Sequence, residues 1–180
     1  KGHDIVLRAL PQIRARFPGV RYAVVGRGSD AQRLKQLARD VGVSEATSFH
    51  ESCTDQQLTE LYRRSDLFVM PSRTGINPDG SWGGEGFGIV YAEAAASGRA
   101  SIAANVGGQV DIVIDRETGR LVPPTPHDVA TAVIECLEDR PLLARMGLAA
   151  RQRVEQHYSL DIFASKWCAL VAQTLKAAIA

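Results

Sequence analysis

Two glutamates separated by seven residues, Glu85 and Glu93, bracket the segment Gly86-Phe87-Gly88-Ile89-Val90-Tyr91-Ala92. The glycines follow a loop and lead into an apolar, alanine-rich stretch, so residues 86–89 are expected at a helix N-terminus. Unpaired N–H groups and the helix dipole make such a terminus an anion site. Glycine also lets a phosphate come close to the backbone. A carboxylate at Glu85, just before the helix, could accept hydrogen bonds from a polyol or sugar beside that phosphate. Glu93 falls two turns further on, among Val90, Ala92, Ala94 and Ala95, on a helix too apolar for full solvation, and calls for a hydroxyl or a cation as partner. Taken alone, Glu85 could equally serve the helix dipole and Glu93 could be an ordinary surface residue.

The elements that must position these groups are legible along the chain. Ile5, Val6, Leu10, Ile13 and Phe17 repeat at helical spacing over residues 4–17, interrupted by Pro11 and stopped by Pro18-Gly19. Tyr22-Ala-Val-Val25 reads as a short buried strand. It is followed by Gly26-Arg27-Gly28 and by Ser29-Asp30-Ala31-Gln32, a capping-box pattern opening a helix. The order repeats: strand at 47–49, capping box at Thr54-Asp55-Gln56-Gln57 with its helix, then strands at 67–71, 101–104 and 120–124. Thr125-Pro126 marks a helix start running to Asp139, and helices over 140–157 and 160–178 follow. Such alternation predicts an α/β fold, a Rossmann-like doubly wound parallel sheet, with ligands beyond Val25, Phe49, Met70 and Ala104. The segment Ser72–Gly84 reads as a long irregular loop, and its glycines (Gly75, Gly80, Gly83, Gly84) suit a lid.

Composition narrows the function classes. The 180 residues, 45% hydrophobic and 23% charged, fit one globular domain over 1–180. A net charge of +1 supplies no field for a polyanion, so nucleic acid is excluded as a partner, and Trp82, Trp167, Tyr22 and Tyr62 form no stacking ladder. Cys53, Cys136 and Cys168 are odd in number and scattered, as in a reducing, cytoplasmic compartment. No run approaches the ~20 apolar residues of a membrane span, and no leader is visible. The four histidines show no ligand spacing with the cysteines, so no metal site is expected. The chain opens on Lys1-Gly2 without methionine, which suggests an excised part of something longer.

The stretch Glu85-Gly-Phe-Gly-Ile-Val-Tyr-Ala-Glu93 resembles the mark of the retaining nucleotide-sugar glycosyltransferases of family four: Glu, seven residues, Glu. Leu67-Phe-Val-Met-Pro-Ser-Arg73 resembles the strand and Pro-Ser before it, Asn105-Val-Gly-Gly108 the glycine loop after it, Thr118-Gly-Arg-Leu-Val-Pro123 the family's Thr-Gly-x-Leu-Val-Pro, and Lys1-Gly2 its phosphate-binding Lys-Gly. The resemblance implies the C-terminal, donor-binding domain of a GT-B enzyme. Lys1 would meet the donor diphosphate together with the amides of Gly86, Phe87, Gly88 and Ile89. Glu85 would bind donor-sugar hydroxyls and Glu93 the ribose hydroxyls, while Phe49 and His50 would lie near the base and Arg73 on the donor side. Lys1 and Glu85 would be the residues closest to catalysis, transfer would retain the anomeric configuration, and the absence of Asp-x-Asp agrees with a metal-independent reaction without cofactor.

The loop 72–84 resembles that of GDP-mannose-dependent phosphatidylinositol mannoside mannosyltransferases, which favours GDP-mannose over UDP-glucose or UDP-N-acetylglucosamine. The acceptor, a glycan or lipid, would be bound by an absent N-terminal half, which could also contact the membrane surface, and the terminal helix within 155–180 would pack on that half or on its own domain. The chain departs from the pattern in four ways. Asp111 stands where Glu is common, Asp115-Arg-Glu-Thr-Gly where Asp-Gly-x-Thr-Gly is, and both the arginine upstream of the lysine and the strand before Lys1 are missing. Two other readings compete. Gly26-Arg-Gly28-Ser-Asp-Ala31, with Glu51 further on, matches the dinucleotide fingerprint of an NAD(P)-binding oxidoreductase domain, although a helix precedes the strand. A non-catalytic nucleotide-sugar-binding domain is the other.

Overall fold

A computed structural model describes residues 1–76 and 82–179. The elements are, in order, α1 (His3–Arg16), β1 (Tyr22–Val25), α2 (Ala31–Asp40), β2 (Thr47–His50), α3 (Asp55–Arg64), β3 (Leu67–Met70), β4 (Gly75–Ile76), β5 (Trp82–Gly83), α4 (Ile89–Ala96), β6 (Ala100–Ala104), β7 (Gly119–Val122), α5 (Pro126–Glu138), α6 (Arg140–His157) and α7 (Leu160–Ile179).

The strands are parallel, as the alternation predicts, but they form two separate half-sheets, β1–β2 and β3–β6–β7. The two faces of β6 explain the layering. Ile102 points into a cluster built from Val6, Leu10 and Ile13 of α1, Val129 and Val133 of α5, and Leu34 of α2. Its neighbour Ala103 points the other way, against Met70 and Tyr91. Successive side chains of a strand face opposite ways, so one apolar strand feeds both cores. Pro11 does not break α1, because six buried apolar residues hold the helix in place. Burial of each contributes roughly 1–3 kcal/mol.

Local signals succeeded where side chains reach backbone. Thr54 and Gln57 form the expected capping box, and Thr125 caps α5 with Pro126 at its first turn. The capping box expected at Ser29 does not form. Asp30 stands at the N-cap without a cap bond, because Arg33 takes its carboxylate with contacts of 2.6 and 2.5 Å. The strand expected over 120–124 stops at Val122, since Pro123 and Pro124 have no N–H for the ladder. The segment 72–84 is not wholly irregular: β4 and β5 pair as a short antiparallel hairpin. Its residues 77–81, with Gly80 and part of the expected lid, lie outside the described residues.

The turn Asp115-Arg-Glu-Thr-Gly holds β7 in place. Thr118 Oγ1 accepts from the Ile114 N–H at 2.8 Å and Asp115 Oδ1 from the Leu121 N–H at 2.9 Å. Arg116, where the resemblance has glycine, sits at φ 62. It is the one described non-glycine residue with positive φ, a left-handed conformation that strains a side chain by roughly 1–2 kcal/mol.

Candidate functional site

The residues around Glu85 converge at the carboxyl ends of β3 and β6. Tyr91, fully buried in the first turn of α4, donates its hydroxyl to the Met70 carbonyl and so ties the helix to the end of β3. Burial, with the Glu85 charge adding to it, pushes that phenol's pKa up. Gly88, the N-cap, has φ 86, and a Cβ there would lie 2.6 Å from the Tyr91 ring. Only glycine therefore allows the turn and the buried tyrosine together. On the other side, the Gly108 N–H donates to the Glu85 carbonyl at 2.9 Å. A Cβ on Gly108 would come 1.9 Å from the Gly86 carbonyl oxygen, so the loop after β6 can close on the segment before α4 only through glycine.

This frame presents three kinds of group. The first turn of α4 leaves the amides of Ile89 and Val90 without intrahelical acceptors. The Glu85 carboxylate, its side chain 13% exposed, lies 2.6 Å from Lys1 Nζ. Lys1 is held there because Gly2, at φ 84, packs so closely on Pro71 that a Cβ would fall 2.3 Å from the Pro71 carbonyl oxygen. A cation, a carboxylate and the opening amides of α4 thus share one rim of a concavity that also reaches Phe49, Arg73 and Glu93.

The remaining expected residues are placed differently. Glu93 is exposed, which corrects the expectation that its helix would keep it from full solvation. The hydroxyl partner expected for it is present: Tyr62 of α3 donates to Glu93 Oε2 at 3.1 Å, and burial followed by the Glu93 charge raises the tyrosine pKa. Arg73 forms a bidentate pair with Asp4, at 3.0 and 2.8 Å, so its guanidinium points at α1. Phe87 is 43% exposed and packs edge-on against Tyr158, and Ile89 is 66% exposed. Phe49 packs on the main core with Lys35 above its ring at 5.8 Å, and His50 bonds Ser48 at 3.0 Å.

The Gly26–Gly28 turn does adopt strand, turn and helix. However, Lys35 takes the Glu51 carboxylate at 2.6 Å, and Arg27 donates to the Glu51 carbonyl at 2.9 Å and to Ser52 Oγ at 3.2 Å. Sequence reasoning missed Tyr62, Tyr91 and Asp4 as supports of the site. Only the helical spacing of Tyr91 behind Gly88 pointed to any of them. Among the described residues no three His, Cys, Asp or Glu side chains lie close enough to hold a metal ion, and no helix is long and apolar enough to cross a membrane. The three cysteines are free.

Comparison with known proteins identifies the family and the fold. Residues 1–153 match the family model of the glycosyl transferases group 1. A GDP-mannose-dependent alpha-(1-6)-phosphatidylinositol monomannoside mannosyltransferase of Mycolicibacterium smegmatis is 39% identical over 163 residues, which cover 89% of this chain and 40% of that protein. A protein of the same description from Mycobacterium tuberculosis is 38% identical over 168 residues, 92% of this chain and 43% of that one. The chain therefore spans about two fifths of the length of these curated relatives. Among solved structures, sucrose-phosphate synthase from Thermosynechococcus elongatus superposes with a TM-score of 0.80 at 27% identity, over 96% of this chain and 43% of that one. The fold is that of the GT-B glycosyltransferases, and the chain belongs to the glycosyl transferases of group 1.

Proposed function

We propose that this chain forms the donor side of a retaining glycosyltransferase that moves a hexose from a nucleotide-diphosphate sugar to a glycan or lipid acceptor. The observation that carries the reading is the Lys1–Glu85 pair at 2.6 Å, set beside the amides that open α4. The paired charges suit exchange on binding. A diphosphate would replace Glu85 as the counterion of Lys1 and lie against the Ile89 and Val90 amides, where charge on the leaving phosphate is stabilised. Glu85, released, would accept hydrogen bonds from donor-sugar hydroxyls. Glu93, already paired with the Tyr62 hydroxyl, has a second oxygen for the ribose. The departing phosphate would take the acceptor proton, so no protein nucleophile, metal or cofactor enters the scheme.

GDP-mannose is the favoured donor, because the two mannosyltransferases quoted are named as GDP-mannose-dependent. The reaction belongs on the cytoplasmic side, where nucleotide sugars are made, with the acceptor held by a second domain near the membrane surface. Calorimetric titration of the whole enzyme with GDP, UDP, GDP-mannose, UDP-glucose and NAD in metal-free buffer tests this. Preferential binding of GDP-mannose is expected, with loss of sugar-nucleotide but not bare-nucleotide affinity in Glu85→Ala. Binding of NAD alone would overturn it.

A further inference from the structure

Tyr158 stands at the break between α6 and α7 and touches both of the segments that meet at Glu85. Its hydroxyl donates to the Asp111 carbonyl at 2.6 Å. Its ring packs edge-on against Phe87, with the ring centres 5.6 Å apart. Asp111 closes the short helical turn Gly108–Asp111, whose first residue donates its N–H to the Glu85 carbonyl, and Phe87 directly precedes Gly88, the N-cap of α4. One side chain therefore grips the loop after β6 and the turn before α4 together.

A second side chain from the same helix grips the loop. Arg153 donates Nη2 to the Asp111 carbonyl at 2.9 Å and Nε to the Ile112 carbonyl at 3.2 Å, and its guanidinium stands 5.9 Å from the centre of the Tyr158 ring. The last carbonyls of a helical turn lack donors within the turn, and here another helix supplies them. Inside the loop, the fully buried Gln109 donates Nε2 to the Ala104 carbonyl at 3.2 Å, which ties the turn back to the end of β6. Tyr158 is itself firmly placed. Its N–H bonds the Val154 carbonyl, the carbonyl of the next residue, Ser159, accepts from Phe163 in α7, and its ring packs on the cluster that holds Met70, Tyr91, Ile112 and Val113.

We propose that Tyr158 and Arg153 are positioning residues of the donor site, a brace at the end of α6 that sets the glycine loop and the α4 turn against each other and so fixes Glu85 and the opening amides of α4. The inference rests on the donor-site reading above. The two side chains share one carbonyl, so either can hold the loop when the other is lost. Their spacing along α6 gives both a view of Asp111, while neither reaches the reacting groups.

A double-mutant cycle in the whole enzyme tests the brace, with kcat/KM for the sugar donor as one readout and hydrogen exchange at the Gly108 amide, measured without donor, as the other. Tyr158→Phe and Arg153→Met each leave the Asp111 carbonyl one donor, so each alone is expected to lower kcat/KM about 3-fold or less. Together they leave it none, and a loss of about 30-fold or more is expected, greater than the product of the two, since small misplacements of binding groups are costly. The Gly108 amide should then exchange about 10-fold or more faster relative to the core amides of β6. Losses that merely multiply, or an unchanged Gly108 amide, would overturn the proposal. Leu143→Ala, on the same helix but in the main core, gives the effect of lost stability alone. An equal fall in kcat/KM there would overturn the proposal as well. Should the double variant not fold, Tyr158→Leu takes its place, with a loss of about 10-fold expected and a value equal to the parent's refuting the brace. A parent that turns over no nucleotide sugar would refute the transferase reading instead, and the exchange result would still decide whether the brace exists.

Discussion

The turns Gly26-Arg27-Gly28 and Gly86-Phe87-Gly88 both lead into helices, and only the second is closely packed. At Gly26-Arg27-Gly28 a Cβ on either glycine would meet nothing within 4 Å, and the following helix opens on an uncapped Asp30. At Gly86-Phe87-Gly88 the neighbouring segments press on the turn: Gly88 against Tyr91, and Gly108 against Gly86. The first turn matches a dinucleotide pattern more fully in letters, yet no neighbouring group fills the space beside its glycines. Close packing rather than spacing separates the two turns.

That contrast can be broken at its centre first. Glu85→Ala in the whole enzyme is expected to lower the transfer rate about 100-fold or more, roughly 2.7 kcal/mol, with the fold retained by circular dichroism. Next comes the packing. Gly108→Ala should destabilise by about 2–3 kcal/mol in urea unfolding, because backbone has to move, whereas Gly28→Ala should stay within about 0.5 kcal/mol. Equal effects at the two positions would erase the distinction. Tyr91→Phe removes the hydroxyl that joins the Ser72 N–H in donating to the Met70 carbonyl and should cost about 1 kcal/mol, again by urea unfolding, with weaker donor binding as α4 loosens from β3.

Smaller effects sharpen the surroundings. Arg116→Gly relieves a left-handed side chain and should raise stability by up to about 1 kcal/mol, visible as a higher Tm. The Arg73 guanidinium beside Asp4 holds that carboxyl below the usual carboxylate range. A depressed folded pKa stabilises the fold above the unfolded value, near pH 4, and the contribution is lost as pH falls through the folded value. Unfolding midpoints measured between about pH 5 and pH 2 should therefore fall less in Asp4→Asn than in the parent. The difference should be under about 1 kcal/mol, because Arg73 is half exposed.

The strands, helices and their alternation were legible because hydrophobic period and turn residues act locally: Thr54 with Gln57, and Thr125 with Pro126, formed the caps their types announce. The pairing of Glu85 and Glu93 around a glycine turn was legible too, since both lie within one loop-to-helix segment. What the sequence by itself determined is this local set: the α/β alternation, the α4 N-terminus and the carboxylates beside it. Tertiary structure alone decided that Arg33 would take Asp30 from its cap, that Arg73 would turn to Asp4, that Tyr62 would meet Glu93 from α3, and that Lys1 would reach Glu85 across 84 positions of chain. The reason is physical. Ion pairs and close backbone contacts depend on distances set by packing many residues apart, and neither periodicity nor composition carries those distances.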